Sequence, residues 1–165
     1  MMQLERRGID EYVVSPMYTI TAEHGLGLLI ALIGLATGWY LLRNRPTSER
    51  ASVSLLIATG AGHLGLAAGH EPEFRTGAFL AFGLWALYAA WRWATPGGPI
   101  RGTVVGLVLS VITYCGVLLS GESPDQAGLI LKVWEISAIG IVLGERANTR
   151  TGRLRQSSAV VSMVV

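Results

Sequence analysis

The sequence predicts an all-α integral membrane bundle of five transmembrane helices, with the amino terminus outside and the carboxyl terminus in the cytoplasm. Three observations lead there. Hydrophobic residues make up 51% of the 165 and charged residues only 15%, where an average soluble domain carries about a quarter charged. The mean hydropathy is correspondingly high, at +0.47. The apolar residues gather into stretches near the ~20 residues that cross a hydrocarbon core, and the arginines fall unevenly on the segments between them.

Residues 1–19 mix charge with Gly8 and Pro16 and read as a polar arm. This arm has no apolar core of the signal-peptide kind, so the first span is expected to direct its own insertion. That span, 20–42, carries Glu23 and His24 near its beginning and the interface markers Trp39 and Tyr40 near its end. After the arginine-bearing RNRPTSER comes the second span, 51–69, on which the reading turns: it is apolar enough to cross a bilayer, yet His63 and His70 stand on one helical face, and Pro72 stops the helix. The third span, 76–93, ends in a girdle of Trp85, Tyr88, Trp91 and Trp93 around Arg92, before the turn TPGGPIRG. The fourth, 103–120, is continuously apolar and rich in β-branched residues. The fifth, 127–144, holds Lys132 and Glu135 within it. The transmembrane domain is thus 20–146, and 147–165 is a cytoplasmic tail.

Orientation follows from the basic residues. Arg43, Arg45, Arg50, Arg92, Arg101, Arg146, Arg150, Arg153 and Arg155 fall on one side, against Arg6, Arg7 and Arg75 on the other. The richer side is the cytoplasm by the positive-inside rule. A net charge of +2 therefore reports topology and points to no nucleic-acid partner. The expected setting is a cell membrane crossed several times, the prokaryotic plasma membrane, with the lipid bilayer, further copies of the chain or other membrane subunits as partners. Cys115 is the only cysteine, which excludes an intramolecular disulfide and a thiolate metal cage.

Helices in lipid associate through small residues and interhelical hydrogen bonds, because lipid tails are as apolar as leucine. Gly34 with Gly38, Gly65 with Gly69, and Gly140 with Gly144 form Gly-xxx-Gly pairs. The first, second and fifth helices are therefore expected to meet through glycine.

Depth along each span follows from the rise per residue. His70 falls at the outer boundary and His63 about 10 Å deeper, while Lys132 and Glu135 are about 8 and 12 Å below the outer start of their helix. His24 lies about one turn in. Intramembrane ionisable groups are costly and are functional candidates by default. His63, Glu135 and Lys132 are the candidates for a ligand site or a proton relay; His24, His63 and His70 are the candidates for haem b or a transition metal. The bland alternatives are a buried His–Glu pair that only sets helix register, and His24 and His70 sitting among the headgroups.

Three functions compete. A non-enzymatic accessory or structural subunit of a membrane complex makes the fewest demands. The alternatives are a haem b- or metal-binding electron-transfer subunit, in which one iron cannot take both His63 and His70 from a regular helix, and a proton-coupled transport component. An enzyme is disfavoured, since Gly-x-Ser-x-Gly, His-Glu-x-x-His and phosphate-cradling glycine motifs are absent and Ser110, Ser120 and Ser137 lack an activating motif.

Overall fold

The computed structural model describes residues 22–69, 74–95, 102–120 and 126–162. They form five helices: α1 (Ala22–Leu41), α2 (Thr47–Gly69), α3 (Phe74–Ala94), α4 (Gly102–Leu119) and α5 (Gln126–Ser162). There is no strand among the described residues. The polar arm and His70 lie outside them.

The helices follow the apolar stretches, with differences that have local causes. α2 starts inside the arginine-bearing connection, where the Arg50 N–H donates to the Pro46 carbonyl at 2.9 Å. Proline suits this entry because it has no N–H to leave unpaired and its φ is already helical. Glu49 in the first turn complements the positive helix end and pairs with Arg45 at 3.4 Å. α5 runs 37 residues, about 55 Å at 1.5 Å each, well beyond the expected span of 127–144. Hydropathy registers only its apolar first half, whereas ERANTRTGRLRQ continues the helix with many good helix formers and no proline.

Four helices are long and apolar enough to cross a membrane: α1, α2, α4 and the Gln126–Glu145 part of α5. α3 matches them in length, at 21 residues, but its tryptophans, Tyr88 and Arg92 lower its apolar character. α2 is the central helix. Within an 18-residue apolar window of α2 67% of residues are buried, against 11% in α4. It packs on α1, α3 and α5, and α4 rests mainly on α5.

Close approach at glycine builds these contacts. A Cβ on Gly34 of α1 would come within 3.1 Å of Ala61 Cβ and 3.3 Å of the Ile57 carbonyl. One on Gly38 would come within 3.0 Å of Ser54 Cα. α2 and α3 meet glycine to glycine, since a Cβ on Gly60 would sit 2.9 Å from the Gly83 carbonyl and one on Gly83 3.0 Å from the Gly60 carbonyl.

The expected glycine contact of the fifth helix is corrected. Nothing lies within 4 Å of a Cβ built on Gly140 or Gly144, and both face outward. α5 instead approaches α2 through Leu131, whose methyl lies 2.8 Å from a Cβ placed on Gly62. The small residue is on α2 and the large one on α5.

Two apolar clusters fill the interior. One gathers Val53, Leu56, Ala89, Ala90, Trp93, Leu107, Ala138 and Val142; the other gathers Ala31, Leu66, Ala127 and Leu131. Outside, a belt of exposed Leu, Ile and Val covers α1, α3, α4 and α5. The hydroxyls among them are satisfied within their own helices: Thr113 donates to the Leu109 carbonyl at 2.8 Å and Ser137 to the Val133 carbonyl at 2.7 Å. Back-bonding of this kind is what a hydroxyl facing hydrocarbon requires.

Candidate functional site

Between the two apolar clusters lies a polar layer. α2 supplies His63, α5 supplies Lys132 and Glu135 three residues apart, and α4 supplies Ser110. The i,i+3 spacing puts Lys132 and Glu135 on one face of α5, the face turned to α2 and α4. Glu135 is 0% exposed, His63 5% and Lys132 8%.

Lys132 is held by hydrogen bonds from two helices. An ammonium has three N–H donors, and Nζ reaches Glu135 Oε1 at 2.8 Å, Oε2 at 2.9 Å and Ser110 Oγ at 2.5 Å. Aromatic faces complete the surroundings, with Nζ 5.5 Å from the ring centroid of Phe82 and 5.8 Å from that of Tyr114. An ammonium over such faces is attracted by the ring quadrupole. A buried charge is tolerable only when paired and hydrogen-bonded in this way.

His63 is held in one orientation. Its Nδ1 lies 2.8 Å from the Thr59 carbonyl, and a carbonyl only accepts, so Nδ1 carries a hydrogen. Its ring stands edge-on to Phe82, centroids 4.7 Å apart, and tilted to Phe79 at 5.9 Å. Nε2 then faces Glu135 Oε1 at 3.8 Å, beyond hydrogen-bond length. A neutral imidazole donating from Nδ1 has a bare lone pair at Nε2. Nε2 and the carboxylate oxygen thus face each other as two acceptors with no hydrogen bond between them.

The structure thus brings His63, Lys132 and Glu135 together and leaves His24 elsewhere. Gly62 is level with Ala31, whose methyl is 3.0 Å from a Cβ placed there; His24 is seven residues from Ala31, about 10 Å further along the axis. His70 falls outside the described residues. Among those described, no group of three or more His, Cys, Asp or Glu side chains converges on a point. The Glu135 carboxylate, which a metal would need, is already held by the Lys132 ammonium. Among the described residues this layer is therefore an ion-pair network and not a cluster of metal ligands.

Sequence reasoning missed Ser110, Tyr114, Phe79 and Phe82. Ser110 was discounted as a nucleophile without an activating motif. The available signal was its spacing: Ser110 and Tyr114 are i and i+4 on the most apolar helix, hence on one face, and a polar stripe there asks for a partner.

No protein-family model, curated protein or solved structure matches this chain. The reading of function therefore rests on the geometry.

Proposed function

We propose that this chain is a five-span protein of the prokaryotic plasma membrane that acts as a non-enzymatic accessory or structural subunit of a membrane assembly. In this reading the His63–Glu135–Lys132–Ser110 network fixes how α2, α4 and α5 sit together. The observation that carries it is the bridge made by Lys132, whose buried ammonium lies within hydrogen-bond distance of three protein oxygens on α4 and α5. A buried charge pair held by hydrogen bonds across two helices favours one packing of those helices. Five crossings are supported by the course of α3, which lies beside α2 from His63, against Phe79 and Phe82, to the cluster of Val53 and Leu56 with Ala89, Ala90 and Trp93. The broad apolar surface of α4 and α5 suits lipid and neighbouring subunits, or further copies of the chain.

A second reading, a proton-coupled transport component, is favoured by the vacant valence of His63 Nε2 facing Glu135 at 3.8 Å. One experiment separates the two. Glu135→Gln is purified in mild detergent beside the wild type, compared for co-purifying subunits and oligomeric mass, then reconstituted in liposomes for proton flux. The structural reading expects altered association or thermal stability and no flux in either protein. Proton flux in the wild type, lost in Glu135→Gln at unchanged melting temperature, overturns it.

A further inference from the structure

Away from the polar layer, α1 and α2 enclose an open trough of about 560 Å³ lined by Leu32, Leu35, Ala36, Trp39, Ala51 and Leu55. The lining is wholly apolar. From Leu32 to Trp39 it extends about 10 Å along the axis, in the stretch where α1 ends and α2 begins. Its Trp39 end carries a cation. The Arg50 guanidinium lies 3.9 Å from the Trp39 ring centroid, and Nε donates to the Trp39 carbonyl at 2.7 Å.

This bond fixes the guanidinium by one edge. The Nη groups are left as the planar donor fork that suits a phosphate. Arg43 lies one connection away with its guanidinium 4.9 Å from the Tyr40 ring. The nearby carboxylate, Glu49, is paired with Arg45 at 3.4 Å, so the excess charge at this end is positive.

We propose that the trough binds an anionic glycerophospholipid, with an acyl chain along Leu32, Leu35, Ala36 and Leu55 and the phosphate on Arg50. An apolar channel ending in an arginine at an aromatic belt matches the two chemistries of such a lipid. A helix from a second copy fits less well, since it would have to bury the Arg50 charge without a partner. The inference needs the chain to be embedded in a bilayer. It does not depend on the role of the polar network or on which side the trough faces.

The test is native mass spectrometry of the full chain, with dioleoylphosphatidylglycerol and dioleoylphosphatidylcholine offered at equal concentration. The wild type is expected to keep one phosphatidylglycerol in preference to phosphatidylcholine. Arg50→Gln reduces that preference about tenfold, the worth of one charge-assisted contact. Ala36→Trp fills the trough while leaving the guanidinium in place, and reduces retention of both lipids. Arg92→Gln, which removes an arginine outside the trough, leaves the preference unchanged. Equal retention of the two lipids by the wild type overturns the proposal, as does an undiminished preference in Arg50→Gln. A dimer dispersed by Ala36→Trp assigns the trough to a second copy and overturns it too.

Discussion

Lys132 and Glu135 are each other's reason for being tolerated. Removing one partner leaves the other as an uncompensated buried charge, which costs about 3–5 kcal/mol, whereas replacing both by apolar residues is often nearly neutral. Lys132→Met alone is therefore expected to destabilise by that amount, and Lys132→Met with Glu135→Met by much less than the sum of the single changes. A double-mutant cycle on thermal or denaturant unfolding in detergent measures the coupling; additive losses would show that the pair is not acting as a unit. Ser110→Ala removes a hydrogen-bond acceptor from the same buried ammonium, so it should cost about 1–3 kcal/mol. The same unfolding assay reads it, and Ser120→Ala, on an exposed hydroxyl bonded to its own helix at 2.6 Å, serves as the neutral comparison.

The helices are not equivalent in how they use small residues. Gly60 and Gly83 each stand against the other's carbonyl, so a side chain at either forces the backbones of α2 and α3 apart. Gly140 has open space around it. Gly60→Leu is expected to unfold the bundle or lower its melting temperature by many degrees, while Gly140→Leu leaves it unchanged within error; equal effects would overturn the packing described. This contrast also marks the limit of what the sequence discloses. Helix positions were legible, because about 20 apolar residues bounded by turns have few other uses. The joining of His63 to Glu135 was legible too, since depth follows from counting residues. Which glycine is an interface was not, because the spacing of a Gly-xxx-Gly pair is the same whether it faces a helix or lipid. Ser110 was hidden for a related reason: one hydroxyl in an apolar helix is satisfied equally well by its own backbone, as in Thr113, or by a neighbour.

The arginines join the parts into one oriented body. Arg45 donates to the carbonyl of Ala94 at the end of α3 at 3.0 Å, tying the α1–α2 connection to the α3 terminus. Arg43, Arg50 and Arg92 lie over Tyr40, Trp39 and Trp91 at the same end. Tryptophan, tyrosine and arginine together are the usual furniture of a membrane interface. α3, with its last carbonyl on Arg45 and its Phe79 and Phe82 against His63, runs from this end to the level of the polar layer, the course that the five-span reading needs. A surface-lying α3 would instead break both contacts and leave four crossings, which puts the two termini on the same side. Reporter fusions decide between these arrangements. With five crossings, a fluorescent protein fused after Val165 or inserted at Gly97 is expected to glow in the cytoplasm. Alkaline phosphatase inserted at Ser123 or fused at the amino terminus is expected to be active outside. Amino- and carboxyl-terminal fusions that report the same side would overturn the odd number of crossings, and a carboxyl-terminal fusion active only as phosphatase would overturn the placing of the arginine-rich end of α5 in the cytoplasm.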